Sequence, residues 1–154
     1  MSLALLTVFS TACQESARDS LGSAREALAG GDPAAALAAA EAGLAAGADE
    51  VTAWGLELVK LEALAREGRG DAALAQLAAL AAQRPEQVPA EQYAATADQL
   101  RAAGQGAVAA QALDQGLQRF PDDAQLGAQI EAVKQAADPG SEELEALRSL
   151  GYIE

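Results

Sequence analysis

The sequence predicts an all-α chain: a solenoid of about three helix-turn-helix units closed by a C-terminal capping helix. Three observations predict it. Gly31, Gly68 and Gly104 recur at intervals of 37 and 36 residues, a period that belongs to stacked helix pairs. Gly68 to Pro85 and Gly104 to Pro121 bracket Ala-rich amphipathic runs of equal length, and a weaker copy starts at Gly31 and ends near Ala48. Within the runs, apolar residues return at helical spacing, with breakers between them.

In unit one, residues 16–29 read as helix A and 33–46 as helix B. Asp32 is a good N-cap, and Pro33 suits the first helical position, where its missing N–H costs nothing. Gly47 can end helix B in the left-handed conformation. Unit two runs over 49–67 and 70–83, with Asp49 as its cap. Trp54, Leu58, Leu61 and Ala65 share a face of its A helix, as do Leu74, Leu77 and Leu80 of its B helix. Unit three uses 89–103 and 106–120, with Tyr93, Ala97 and Leu100 facing Ala109, Leu113, Gly116 and Leu117.

Asp122 is the expected cap of a further helix to about residue 137. That helix would bury Leu126, Ile130 and Val133 and turn Gln125, Gln129 and Lys134 to solvent, as the end of a solenoid requires. Asp138-Pro139-Gly140 breaks it, and Ser141 caps a short helix ended by Gly151. Leu144, Leu147, Leu150 and Tyr152 either fold back onto the last repeat or form a detachable arm. The stretch from Leu147 to Tyr152 resembles the chain ends of some bacterial sulfatase-type enzymes, none of whose catalytic residues occur here.

The units resemble the tetratricopeptide repeat (TPR). The match is carried by turn glycines Gly31, Gly68 and Gly104, and by the small residues Ala36, Ala73 and Ala109 five positions later. Close-packing positions Gly43, Leu80 and Gly116, closing prolines Pro85 and Pro121, and the early aromatic Tyr93 complete it. Ser20 and Glu57 stand where units one and two would carry that aromatic. The resemblance implies a right-handed solenoid of TPR-like units whose concave surface comes mainly from A helices. Its groove positions would be Arg18, Leu21, Arg25 and Leu28, then Leu58, Glu62, Ala65 and Arg66, then Glu91, Ala94, Asp98 and Arg101. A protein or peptide is the expected partner, and charge reversal at Arg101 is expected to abolish its capture without unfolding the chain.

The segment from Leu3 to Ala12 is apolar and uncharged, and Cys13 follows it. It resembles a bacterial lipoprotein signal ending in a lipobox, although Ser10 stands where Leu is usual and no basic residue precedes the run. That resemblance implies lipidation of Cys13, a polar tether from Gln14, and membrane attachment in the cell envelope. The run is too short to span a bilayer, which takes about 20 residues. It reads alternatively as an apolar helix of a cytoplasmic adaptor. The expected organisation is therefore a signal segment over 1–12, a repeat domain with its capping helix over 13–138, and a tail over 139–154.

Composition removes most chemistry. The 154 residues include no histidine and one cysteine, with a net charge of −13. Histidine-based triads and zinc sites are impossible, and one thiolate cannot build a metal cage. No phosphate loop or calcium loop appears, so neither a catalytic centre nor a metal or other cofactor is expected. The ten basic residues are scattered, against nucleic-acid binding. Asp49-Glu50, Asp122-Asp123 and Glu142-Glu143 sit at helix starts, where they favour the macrodipole. Arg69-Gly70-Asp71 is the cell-adhesion tripeptide, and it also falls on the turn of unit two, where glycine is needed sterically.

Overall fold

The computed structural model describes the backbone of residues 6–154 and the side chains of residues 14–154. Among the described residues the chain is all α, with eight helices and no strand. These are α1 (Leu6–Ala29), α2 (Pro33–Ala45), α3 (Glu50–Arg66), α4 (Gly70–Gln83), α5 (Ala90–Ala102), α6 (Gly106–Arg119), α7 (Ala124–Ala136) and α8 (Glu142–Ser149). A 3-10 turn, Pro85–Gln87, joins α4 to α5.

The packing divides the chain into two compact bodies, Met1–Leu64 and Ala65–Glu154, with the division inside α3. In the N-terminal body α1 packs along α2. Gly31 takes φ +79°. Its N–H donates to Leu28 O (3.1 Å), and that of Asp32 donates to Ala27 O (2.9 Å), the paired bonds of a Schellman ending. The Asp32 carboxylate then caps α2 by accepting from Ala35 N at 2.9 Å. The Gly104 turn of the C-terminal body repeats this ending: Gly104 N donates to Arg101 O (3.0 Å) and Gln105 N to Leu100 O (2.8 Å). Turn glycines therefore sit where a left-handed residue is required.

Two helical glycines hold matching positions in the two bodies. A methyl group on Gly43 of α2 would lie 2.8 Å from Leu56 Cδ1 and 2.9 Å from Ser20 Cβ. One on Gly116 of α6 would lie 2.9 Å from both Leu126 Cδ1 and Tyr93 Cβ. Each glycine follows its turn glycine by twelve positions, and each meets the preceding A helix at Ser20 or Tyr93. Each also admits a leucine of the helix that follows the pair.

Three local readings are corrected. First, α1 begins by Leu6 rather than Ser16, and the expected tether at Gln14 to Ser16 is helical. Its Ala, Gln, Glu and Arg residues are helix formers with no Gly or Pro to stop them before Gly22. Residues 1–5 and the side chains through Cys13 lie outside the described residues, so the signal reading and the thiol do too. Second, Leu61 and Ala65 of the expected α3 face are buried, but Trp54 and Leu58 are only half-buried, and Thr52, Leu56, Val59 and Ala63 are buried as well. The space left by Gly43 takes Leu56 and sets the rotation of the helix. Third, the cap of α7 is Asp123, which accepts from Leu126 N at 2.9 Å; Asp122 is exposed. A turn bond from Asp123 N to Phe120 O places Asp122 at the tip, one residue too early to cap.

In the C-terminal body α5 packs along α6, around Leu77, Leu80, Tyr93, Leu100, Leu113 and Leu126, all at most 3% exposed. Helix α8 packs chiefly on α6, with few contacts to α7 before it.

Candidate functional site

The positions expected to line a groove fall, in the N-terminal body, on α1 and α3. Arg18 is exposed, and its Nη2 lies 3.3 Å from Asp49 Oδ2. Asp49 caps α3, accepting from Thr52 N and from Thr52 Oγ1, each at 3.0 Å. The Thr52 amide, then its hydroxyl, hold the Asp49 carboxyl below its ordinary value against the cost of partial burial, and the Arg18 charge adds to them. Leu21 is half-buried and lies against Gly55, where an added methyl would meet Leu21 Cδ2 at 3.0 Å. Arg25 is exposed, with Nη2 3.5 Å from the same point. Arg18, Leu21 and Arg25 therefore lie on one side of α1 turned to α3. Leu28, offered as a groove residue, is only 7% exposed and belongs to the core. Leu58 and Glu62 are half-buried one turn apart on α3.

On α5 the geometry is different. Glu91 is exposed in the first turn. Ala94 is buried and has nothing to present. Asp98 and Arg101 are brought together: Arg101 Nη1 donates to Asp98 Oδ1 at 3.0 Å. Gln129 Nε2 of α7 donates to Asp98 Oδ2 at 2.9 Å, and Arg101 Nε donates to Glu143 Oε1 of α8 at 2.8 Å. Gln129, expected to face solvent, is half-buried and spent on Asp98; Lys134 is half-buried beside Glu131. Arg101, Val133, Ala136 and Glu143 line a pocket of about 250 Å³. A carboxylate at position 101 would face Glu143 and Asp98, so charge reversal there disturbs α8 and is no clean probe of partner capture. Farther back, Arg66 is exposed in the last turn of α3, while Ala65 is fully buried.

Sequence reading missed Arg119. Its Nη1 donates to Ala81 O at 3.3 Å and its Nη2 to Pro85 O, so a cation from α6 satisfies one carbonyl in the last turn of α4 and one in the 3-10 turn that follows. The same guanidinium stands 5.4 Å from the centre of the Phe120 ring, which meets Tyr93 edge to face at 6.2 Å. Tyr93, Arg119, Gln115 and three alanines of α4 border an open hollow of about 380 Å³. Nothing in the local spacing of Arg119 signals a partner 38 residues away.

No protein-family model, curated protein or solved structure matches this chain. Its chemistry is read from its own residues. Among the described residues no three His, Cys, Asp or Glu side chains are grouped to hold a metal ion. Among the described residues no helix is long and apolar enough to cross a membrane. In the Arg69-Gly70-Asp71 tripeptide, Gly70 is buried, and a methyl there would meet Val108 Cγ2 of α6 at 2.9 Å. Close approach of α4 to α6 is sufficient reason for that glycine.

Proposed function

We propose that the chain is a non-catalytic protein-interaction scaffold of TPR-like repeats, forming a right-handed solenoid that carries a protein or peptide partner on its A-helix faces. The observation that supports it most is the matching of Gly43 and Gly116. In both bodies a glycine twelve positions after a left-handed turn glycine lets its helix press against the preceding A helix and the helix that follows. Repeated use of one packing solution is what a helix-pair repeat needs. In the N-terminal body α1 and α3 present Arg18, Arg25 and Glu62 beside half-buried Leu21 and Leu58, and in the C-terminal body α5 presents Glu91, so each surface is polar or mixed in charge. Such a surface suits docking of an amphipathic helix or an extended peptide.

We further propose that a lipid on Cys13 anchors this scaffold in a bacterial cell envelope, where it helps to assemble an envelope complex. The apolar run ending at Cys13 supports that reading. A second reading, a cytoplasmic adaptor, is favoured by the unbroken helix of α1 through Cys13. Intact mass and detergent partitioning of the chain beside Cys13→Ala, in a host competent for lipoprotein modification, separate the two. Loss of a leader plus gain of a lipid, absent in the variant, supports the anchored scaffold. An unmodified, water-soluble product supports the adaptor. For the interaction itself, a photo-crosslinker at Leu21 or Glu91 should trap a discrete partner in cells, whereas one at exposed Ala38 of α2 should not. Equal trapping at all three, or none, would remove the scaffold reading.

A further inference from the structure

We infer that residues 141–152 are a strap acting in cis. They cover a face of α6 that recognises a helix with an acidic first turn, a leucine in its second turn and a tyrosine after its end, and that takes the same segment from a second copy of this chain when the strap is released.

The strap passes over its neighbour in sequence, α7, and lies chiefly on α6. Three contacts fasten it. At its start, Glu143 Cβ sits where a methyl on Gly106 would be 2.9 Å away, and its carboxylate takes the 2.8 Å bond from Arg101 Nε. In its second turn, Leu147 is fully buried. After its end, the Tyr152 hydroxyl donates to Asp114 Oδ1 at 3.0 Å. Gly106, Ala110 and Asp114 follow one another at helical spacing along α6. They offer a shallow track with a carboxylate acceptor at one end and Arg101 at the other. That track reads helix chemistry and would accept the same chemistry from another chain.

The fastening is also made to release. Helix α8 has eight residues, too few to persist without the surface beneath it, so detachment and unfolding of α8 are one event. Of its residues Leu147 alone is buried. The link Asp138-Pro139-Gly140 is exposed throughout, so α8 can leave while α7 stays packed. Because Arg101 is held by the strap, opening also frees the one groove candidate of α5 that lies nearest the track.

Hydrogen exchange on the full chain and peptide binding test this together. Amides of α8 should exchange at least about ten-fold faster than those of α6, by local opening. A labelled peptide spanning residues 141–154 should bind the full chain carrying Leu147→Ala about ten-fold tighter than the unsubstituted chain, because the competing cis strap is weakened. The peptide carrying the same substitution should bind neither. If Leu147→Ala unfolds the chain, Tyr152→Phe replaces it and should speed exchange in α8 while leaving α6 unchanged. Exchange in α8 as slow as in α6, or a peptide that binds both chains alike or neither, would overturn the strap. No foreign partner enters this test. Failure to trap one at Leu21 or Glu91 strikes the scaffold reading, and a closed, unexchanging α8 strikes the strap alone.

Discussion

Arg101 and Glu143, 42 residues apart in sequence, meet at 2.8 Å and tie the end of α5 to the start of α8. The pair is unequal in exposure: the arginine side chain is 33% exposed and the glutamate 14%. Glu143 also lies against Gly106, the first residue of α6, where the helix dipole favours negative charge. One carboxylate therefore answers both the cation that closes α5 and the amide end that opens α6. Asp98 holds the other side of the same guanidinium and passes the contact on to Gln129 of α7. Four helices share this network.

The network predicts a charge-swap result. Arg101→Glu should destabilise the chain by about 1–2 kcal/mol, since a partly exposed pair is worth about 1 kcal/mol and reversal adds repulsion. The loss should appear as a fall of about 2–8 °C in melting temperature. Adding Glu143→Arg should recover part of it but not all, because Asp98 still opposes a carboxylate at position 101 and an arginine at 143 opposes the α6 amide end. Thermal melting of the two single variants and the double variant gives the coupling directly. Strictly additive losses would mean that the pair contributes nothing beyond its parts.

Glycine substitutions test the helix packing in a different way. At Gly116→Ala the new methyl would stand 2.9 Å from Tyr93 Cβ and 2.9 Å from Leu126 Cδ1. Leu126 can rotate, but Tyr93 Cβ moves only with its backbone, so α5 and α6 must separate. Overpacking of this kind costs about 1–3 kcal/mol, more than the gain of up to about 1 kcal/mol from better helix propensity. Gly127→Ala in α7 meets nothing within 4 Å and should gain about 0.5–1 kcal/mol instead. Opposite signs in chemical denaturation are the expected outcome. A stabilising Gly116→Ala would show that the helices do not approach as closely as described.

Much of the fold was legible because it is local. Turn glycines, the caps at Asp32, Asp49 and Ser141, and the buried row Tyr93, Ala97 and Leu100 all depend on residues within a turn or two of one another. Adjacent identical residues defeat the same logic: Asp122 and Asp123 are equally good caps by type. The turn bond to Phe120 chooses between them, and it exists only in the folded loop. The rotation of α3 was hidden for a related reason. Leu61 and Ala65 of the expected face are buried, but in the first turns of the helix the choice of Thr52 and Leu56 over Trp54 and Leu58 depends on the space that Gly43 leaves for Leu56. Least legible was the α5 face, where Asp98 and Arg101 carry the charge pattern of a solvated groove. Their partners Gln129 and Glu143 lie 31 and 42 positions away, beyond the reach of any spacing rule.

The end of the strap carries a pH dependence with a definite sign. Partial burial, then the hydrogen bond to Asp114 and its negative charge, push the Tyr152 phenol from 10.0 up to about 12. The folded state thus favours the neutral phenol, which can donate to Asp114; a phenolate there would confront a carboxylate. Because the folded value lies above the unfolded one, the contribution is fully present below pH 10 and is lost as pH rises through about 12. Ultraviolet titration should show a tyrosine ionising well above 10 that returns toward the ordinary value in Asp114→Asn. Tyr152→Phe should lower the melting temperature slightly at neutral pH, where a hydrogen bond is lost, and remove the alkaline fall assigned to this residue. The two melting curves should therefore converge between pH 10 and 12. If the unsubstituted chain keeps its margin over Tyr152→Phe through that range, the phenol is not held against Asp114. The strap would then rest on Leu147 and the Arg101–Glu143 pair alone.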